Sequence, residues 1–491
     1  MTALDTRFQT LCDLTMTEAA TAVARGDVSV TELTEASFAA FDAREPKINS
    51  VIWREREASL EAAAGLDAHR KAGGAMGPLF GVPLAHKDMY YQKGRLATCG
   101  SKIRADFRPD YTATVIERLE AAGSVTIAGL NMAEFAQNAT GHNAHYGDCH
   151  NPWGYDYCTG GSSSGSGAAV GARCVTAALG SDTGGSIRLP AAMCGVTGIK
   201  ATQTRVSRYG VMGLSFSNDN VGPLTRDVRD AARFLSVIAG HDPKDPTSST
   251  EPVPDYESFL TGDIRDLRIG IPKNYFLDNA GEDVRASYDA SIEVLKSLGA
   301  IPVEVSLPAM DAVATYVSMV SRCEGSALHA TWMRERAQDY AIHLSARMYA
   351  GFAIPAVQYI EALSRRGAIV SQFISEVFGA CDVLATPTLR WSTPTLAEAN
   401  IDGGSEEAVE LFGNVSINTR PINYLGLPGL TVPNGFDANG IPTGLQLVGR
   451  PFAEGTLFRA GDAFQRVSDW HLKKSPAALL SGGAGVGTGA E

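Results

Sequence analysis

The sequence predicts an α/β fold, with helices layered on both sides of a large mixed β-sheet in one domain that carries an N-terminal helical arm. From residue 78 onward, short apolar segments alternate with helical segments, which is typical of a layered α/β core. The first 75 residues instead show helical periodicity and capping signals. The length of 491 residues allows one large domain or two to three ordinary ones. No segment has the composition of a clear domain boundary.

Residues 1–75 are predicted to form the helical arm, packed on the core. Two capping boxes mark helix starts, Thr15-x-x-Glu18 and Ser29-x-x-Glu32. In a capping box, the two side chains satisfy backbone N–H groups that the first helical turn leaves without partners. A third helix is predicted at residues 53–72, which are rich in Arg, Glu and Ala and precede a glycine pair that suits a helix end.

The core is predicted at residues 76–475, and a glycine-rich tail at residues 476–491 is expected to be disordered. Strands are expected at residues 82–85, 125–128, 176–179, 267–271, 303–305, 382–386 and 429–432. Helices are expected at residues 112–122, 166–173, 225–239 and 283–298, the third of them capped by Thr225. Strands that alternate with helices in this way indicate a sheet with helices packed against it.

Composition excludes several classes of function. A formal net charge of −12 argues against a nucleic-acid-binding surface. No apolar run is long enough to span a membrane, and the N-terminus lacks the basic-then-apolar pattern of a signal peptide. Eight cysteines follow no disulfide or zinc spacing, which favours reduced thiols and a cytoplasmic location. The sequence leaves the oligomeric state open, with a homodimer as one candidate.

Two glycine-flanked serine clusters dominate residues 157–200. They are Gly160-Gly161-Ser162-Ser163-Ser164 and Gly184-Gly185-Ser186. Glycine pairs placed before a hydroxyl let the backbone approach a ligand closely. A phosphate-binding loop is excluded because no Gly-Lys-Ser/Thr ending follows the first cluster. A serine nucleophile needs a base, which has to come from elsewhere in the chain.

The run GGSSSGSGAAV, followed by ALGSDTGGSIRLPAAMCGVTGIK, resembles the signature stretch of the amidase signature family. The separation of Ser162 and Ser186 by 24 positions matches that family's pair of catalytic serines. Upstream, GVPLAHKD at residues 81–88 resembles the strand that carries the family's lysine, here Lys87. Further matches lie at residues 131–135, 151–153, 423–433 and 442–447, so that the resemblance covers nearly the whole chain. It implies the amidase signature fold for the core.

The resemblance implies a catalytic triad of Lys87, Ser162 and Ser186. Ser186 would attack an amide carbonyl carbon, and Ser162 would pass the proton of Ser186 on to Lys87. A lysine accepts a proton only when neutral, although its unperturbed pKa is about 10.4. Burial in an apolar pocket would lower that pKa because it disfavours the ammonium form. The resemblance also implies a cis peptide bond at Gly161–Ser162.

The same resemblance implies a site for the oxyanion and the substrate. Its residues are Thr183, Gly184, Gly185, Ser186 and Ala136, of which the first four would offer backbone N–H groups to the developing oxyanion. The pocket wall is expected to come from the surroundings of Ala136, from helices between residues 312 and 380, and from the loop near Arg420. Arg420 could hold a carboxylate or carbonyl of the substrate, or form a structural salt bridge. No cofactor and no metal are expected.

Several other polar residues invite a chemical interpretation. The histidines at residues 142–150 have ligand types that suit zinc, but their spacing matches no standard site. A loop that shapes the pocket entrance is the preferred interpretation. Cys158 has no histidine partner in the sequence and is expected to be a packed side chain. Asp88 and Asp182 are expected to be structural hydrogen-bonding residues.

The predicted function is hydrolysis of a carboxylic amide, anilide or ester of small size, with an acyl-enzyme on Ser186 and release of ammonia or an amine. Residues 353–366 and 419–424 resemble stand-alone hydrolases of the family. The alternative is the A subunit of a tRNA-dependent glutamine amidotransferase, which residues 206–210 and 240–245 resemble. A non-enzymatic binding role is a further alternative if the triad is misaligned. The acyl and leaving groups cannot be inferred from these residues.

Overall fold

The computed structural model describes residues 6–480. Between those residues, eleven strands form one sheet. The strands are β1 (Val51–Arg54), β2 (Pro83–Lys87), β3 (Val125–Leu130), β4 (Ala177–Asp182), β5 (Thr197–Lys200), β6 (Asn220–Thr225), β7 (Arg268–Pro272), β8 (Ile301–Val305), β9 (Val383–Pro387), β10 (Gly429–Phe436) and β11 (Pro442–Gly449). Their order across the sheet is β1-β3-β2-β4-β6-β5-β10-β11-β9-β7-β8.

Helices connect and cover these strands. In the described part of the chain the α-helices are α1 (Thr6–Asp13), α2 (Met16–Arg25), α3 (Val30–Ile48), α4 (Arg56–Lys71), α5 (Thr114–Ala121), α6 (Ser164–Gly171), α7 (Arg188–Met193), α8 (Val228–Ile238), α9 (Glu282–Ser297), α10 (Met310–Leu328), α11 (Ala330–Glu335), α12 (Ile342–Phe352), α13 (Ala356–Ala380), α14 (Glu406–Asn414), α15 (Arg420–Tyr424) and α16 (Glu454–Val467). None of them is long and apolar enough to cross a membrane.

The sheet is mixed, and both of its faces are covered. Strand β2 runs parallel to β3 and β4, whereas β10 runs antiparallel to β5 and β11. Every residue of β2, β3, β4 and β11 is buried. Because successive strand residues point to opposite faces, complete burial requires packing on both faces. The predicted α/β fold around a large mixed sheet is confirmed.

The N-terminal helices begin where the sequence predicts. Thr15 and Ser29 cap α2 and α3, and both capping boxes are complete. The prediction of a helix from residue 53 is wrong, because Trp53 lies in the edge strand β1 opposite Gly129 of β3. A Cβ atom on Gly129 would lie 2.1 Å from the Trp53 indole nitrogen, so the glycine makes room for this ring. Helix α4 therefore begins only at Arg56.

The predicted cap of α8 is also wrong. Thr225 ends strand β6, and Asp227 caps the helix by accepting a hydrogen bond from the N–H of Asp230. The Thr225 hydroxyl donates instead to the backbone carbonyl of Asp227 (2.8 Å). The carboxylate sits at the cap position, while the threonine, two residues earlier, still pairs with β4 across the sheet.

The C-terminal segment is structured at its start. Residues 477–479 form a 3₁₀ turn in which Ala477 and Ala478 are buried. The expectation of disorder is therefore wrong for residues 476–480, because Ala477 packs into an apolar cluster beneath the N-terminal helices. Residues 481–491 lie outside the described part of the chain, and the domain boundary at residue 75 stays a prediction. All eight cysteines are free thiols, as predicted.

Candidate active site

Lys87 lies at the carboxyl end of β2 and is 1% exposed. Its ammonium nitrogen, Nζ, donates to Ser162 Oγ at 2.7 Å and to Ser181 Oγ at 2.8 Å. Burial lowers the pKa of Lys87 from 10.5 to about 7, although Asp219 and Asp182 oppose that shift. A substantial fraction of Lys87 is therefore neutral at physiological pH and able to accept a proton.

Ser181 is a contact of Lys87 that the sequence prediction missed. It lies on β4, the parallel neighbour of β2, and the pairing of Ala85 with Ala178 and of His86 with Leu179 sets the register of the two strands. Lys87 follows the paired residue His86, and its long side chain reaches the hydroxyl of Ser181 near the end of β4. To predict the contact between Lys87 and Ser181, one would need to know that β2 pairs with β4. A single sequence does not reveal which strands are neighbours.

Ser162 is fully buried just ahead of α6. The peptide bond Gly161–Ser162 is cis, as the family resemblance implied. A Cβ atom on Gly161 would lie 2.4 Å from the carbonyl oxygen of Asn138, so only glycine fits there. The next residue, Ser163, contacts Ser181 at 3.3 Å through its hydroxyl, which ties the first serine cluster to β4.

Ser186 follows β4 and is 8% exposed. It lines a cavity of about 120 Å³ together with Thr183 and Gly184. The turn that carries it leaves no room for a side chain at Gly185, whose φ is +129° and whose Cβ would lie 2.1 Å from Thr419 Oγ1. Exposure thus increases along the predicted relay, from the buried lysine and Ser162 to a serine at the cavity.

Asp182, fully buried at the end of β4, shapes the turn before Ser186. Its carboxylate accepts hydrogen bonds from the N–H groups of Gly185 (2.8 Å) and Ile187 (3.2 Å). Burial alone would raise the pKa of Asp182, but the guanidinium of Arg188 at 2.9 Å holds it at about 2. The expected structural role of Asp182 agrees with these contacts.

The backbone donors near Ser186 differ from the expected set. The N–H of Gly185 donates to Asp182 and is not directed at the cavity. Within the described residues, the N–H groups of Thr183, Gly184 and Ser186 have no acceptor in the chain. These three N–H groups are therefore available to donate to an acceptor next to Ser186.

The cavity wall comes from several distant segments. Ala136 lines it, Val317 and Arg347 contribute from α10 and α12, and Arg420 stands at the start of α15. The loop at residues 142–150 contributes none of the lining residues. That this loop shapes the pocket entrance stays a prediction.

A family model named amidase matches residues 32–458. The chain belongs to the amidase signature family. It is thus an enzyme of the amidase class, acting on carbon–nitrogen bonds, and the predicted family is confirmed.

Relatives of this amidase include A subunits of an amidotransferase as well as a peptide amidase. It is 43% identical over 483 residues to the A subunit of the glutamyl-tRNA(Gln) amidotransferase of Chloroflexus aggregans, an alignment that covers 94% of this chain and 98% of that protein. The solved structure of a peptide amidase has a TM-score of 0.81 at 30% identity, covering 92% of this chain and 97% of that one. The A subunit of the Thermotoga maritima amidotransferase has a TM-score of 0.76 at 28% identity, covering 95% and 96%.

The histidine-rich loop of this amidase forms a charged cluster with two other segments. His142 contacts Asp148 (2.6 Å) and Asp402 (2.8 Å), and Asp402 also contacts His343 (2.9 Å). One ligand atom each from His142, His343 and Asp402 lies within 4.8 Å of the others. The hydrogen bond to Asp148, helped by Asp402, raises the pKa of His142 to about 9. Both ring nitrogens of a protonated His142 are donors, which suits an ionic link between loops.

We expect EDTA to leave turnover unchanged. His142 is held in ionic contacts with Asp148 and Asp402, and the predicted transfer of protons between serine and lysine needs no metal ion. The measurement is the initial rate of amide hydrolysis after dialysis against EDTA, compared with a mock-dialysed sample. Loss of activity that added zinc restores would contradict this expectation and assign the cluster to a metal.

Cys158 is enclosed next to the first serine cluster and is fully buried. Burial raises its pKa, so the thiol stays protonated. Its sulfur contacts the carbonyl oxygen of Thr395 at 3.6 Å. These features are typical of a packed side chain, which is what the sequence led us to expect.

Proposed function

We propose that this amidase hydrolyses a carboxylic amide with Ser186 as the nucleophile and with Ser162 and Lys87 as its proton relay. The observation that carries the proposal is the buried 2.7 Å contact between Lys87 Nζ and Ser162 Oγ, in a chain whose second serine cluster places Ser186 in the wall of a cavity. A lysine whose pKa is lowered to about 7 by burial is a competent base there.

In the proposed reaction, Ser186 Oγ attacks the carbonyl carbon while its proton passes to Ser162 and the Ser162 proton passes to Lys87. The N–H groups of Thr183, Gly184 and Ser186 stabilise the tetrahedral oxyanion. Collapse of this intermediate breaks the C–N bond, and the relay returns the proton to the leaving nitrogen. Water then attacks the acyl-enzyme by the same relay and releases the carboxylic acid.

A second candidate is the A subunit of a tRNA-dependent glutamine amidotransferase. It is supported by the 43% identity, over 94% of this chain, to a relative of that kind. The comparisons with relatives favour this candidate over the stand-alone hydrolase that the sequence led us to prefer. Both candidates share the first half-reaction, in which Ser186 takes the acyl group and ammonia leaves.

The experiment that tests the proposal is an amide screen with the purified chain alone. Neutral alkyl amides, anilides, acidic amides and glutamine are supplied, and both ammonia or amine and the carboxylic acid are identified. Hydrolysis of any of them without added proteins supports the proposed stand-alone reaction. Glutamine cleavage that appears only with partner proteins and charged tRNA would favour the amidotransferase role instead.

The pH dependence of kcat/KM should follow the deprotonation of Lys87. Below about pH 7 the residue is an ammonium ion and accepts no proton, so kcat/KM falls tenfold per pH unit, whereas above pH 7 it levels off. The measurement is a pH–rate profile with a neutral amide from about pH 5.5 to about pH 9, with activity rechecked after return to pH 8. A profile that is flat through pH 7 would contradict the assignment of Lys87 as base.

A further inference from the structure

Three arginines line the cavity that contains Ser186. They are Arg322 on α10, Arg347 on α12 and Arg420 at the start of α15. Among residues 6–480, no aspartate or glutamate lines this cavity. The cavity therefore carries an excess of positive charge, although the whole chain has a net charge of −12.

The arginines have few partners within the protein. Arg347 donates from Nε to Gln137 Oε1 at 3.0 Å, and Arg420 donates from Nη1 to the carbonyl oxygen of Gly413 at 2.6 Å. The Nε atom of Arg420 and the Nε2 atom of Gln137 are buried and have no hydrogen-bond partner in the described part of the chain. In residues 6–480, none of the three arginines forms a salt bridge with a carboxylate. Arg188, by contrast, is paired with Asp182.

The pKa of Arg347 also indicates that its positive charge is not neutralised within the described residues. Burial, together with Arg322 and Arg420, lowers the pKa of Arg347 to about 10, and no carboxylate opposes that shift. The side chain is still cationic at neutral pH. Positive charges held near one another and partly removed from water are unfavourable unless an anion compensates them. A bound anion would relieve this cost, and a guanidinium group matches a carboxylate with two parallel hydrogen bonds.

We propose that Arg322, Arg347 and Arg420 form a subsite for a carboxylate on the acyl part of the substrate, so that this amidase acts on monoamides of dicarboxylic acids. This inference rests on the proposed function, because it takes the amide at Ser186 as the reacting group. The absence of acidic lining residues adds a second feature to the substrate. An α-ammonium group would enter a cavity of three cations with no carboxylate to receive it, so the substrate is an acid amide without an amino group.

Three amides of equal chain length test this proposal. Pentanamide is neutral, glutaramate adds a terminal carboxylate, and glutamine adds both a carboxylate and an ammonium group. Of the three amides, glutaramate is expected to have the highest kcat/KM with the wild type. Arg347→Gln should lower kcat/KM for glutaramate by about 10- to 100-fold more than it lowers kcat/KM for pentanamide. Arg347→Lys keeps the positive charge but loses the planar guanidinium group. Its kcat/KM for glutaramate should lie between those of the wild type and Arg347→Gln.

The matched control is Arg365→Gln. Arg365 is exposed on α13 and pairs with Glu361 at 2.9 Å, outside the cavity, so its loss should change no substrate preference. Arg322→Gln provides a second cavity variant with an exposed side chain, in case Arg347→Gln folds poorly. Thermal melting of each variant shows whether a change in rate reflects a change in folding.

A binding measurement separates failure of the subsite from failure of the proposed function. Glutarate is titrated into Ser186→Ala by calorimetry at low and high salt, and again into Ser186→Ala/Arg347→Gln. Binding that weakens with salt and is lost in the double variant supports the subsite even if no amide is hydrolysed. Pentanamide preferred over glutaramate, glutamine preferred over glutaramate, or glutarate binding unchanged by Arg347→Gln would each overturn the inference while leaving hydrolysis at Ser186 intact.

Discussion

Ser186→Ala and Lys87→Met are each expected to lower kcat by at least about 10⁴-fold, because removal of a nucleophile or its base from a catalytic unit has effects of this size. Lys87→Met keeps the approximate length of a side chain that is 1% exposed, and it removes the amine together with its hydrogen bonds to Ser162 and Ser181. Both variants should therefore remain folded. The measurement is kcat on an amide that the wild type cleaves, together with the melting temperature of each variant.

Ser164→Ala is the matched control for these substitutions. Ser164 is also buried in the first serine cluster, but its hydroxyl has no hydrogen-bond partner among the residues that the structure describes. Loss of that hydroxyl should leave kcat within about threefold of the wild type, because no interaction is removed. If Ser186→Ala or Lys87→Met kept near-full activity, or if Ser164→Ala were as damaging as either, the assigned roles would be wrong.

Arg188→Met is expected to lower the free energy of unfolding by about 3–5 kcal/mol, since it leaves the buried carboxylate of Asp182 without its cation. Both side chains of this pair are completely buried, and they lie 2.9 Å apart. Arg188 also donates to Gln446 (2.7 Å) and Asn423 (2.6 Å), so those acceptors lose a partner as well. Urea denaturation of the variant and the wild type measures the difference.

Arg285→Ala is the control for the loss of an arginine. Arg285 pairs with Asp289 on the exposed side of α9, where an ion pair of this kind contributes only about 0.3–0.5 kcal/mol. A loss below about 1 kcal/mol in Arg188→Met would contradict the structural role of the Arg188 pair.

Acid should weaken the wild type through the same pair. The pKa of Asp182 is lowered from 3.8 to about 2, so the stability that it contributes is present above pH 3.8 and is lost as the pH falls through 2. Because Asp182 also holds the N–H of Gly185, this loss disturbs the turn that carries Ser186.

The sequence was most informative where the chemistry is concentrated in a short stretch. Ser162 and Ser186 lie within one motif, and Lys87 follows an apolar segment whose burial also lowers the pKa of the lysine. The capping boxes of α2 and α3 could also be predicted from the sequence, since a capping box involves residues only three positions apart. Features formed by residues close together in the sequence could therefore be predicted from the sequence alone.

Contacts between distant segments could not be predicted from one sequence. Ser181 meets Lys87 only because β4 is the neighbour of β2, and Trp53 joins a strand because Gly129 lies opposite it. The charge of the cavity was likewise hidden, since Arg322 and Arg347 come from two different helices. In each case the decisive partner lies far away along the chain, and tertiary packing overrides the local pattern.

Labelling with a fluorophosphonate probe, followed by mass mapping of the modified peptide, tests the central claim most directly. Such a probe reacts with a serine whose hydroxyl is activated and accessible to the cavity. The expected result is one adduct per chain, on Ser186, absent from heat-denatured protein and strongly slowed in Lys87→Met. Modification of Ser162 instead of Ser186, or unhindered labelling of Lys87→Met, would contradict the assignment of Ser186 as the nucleophile that Lys87 activates.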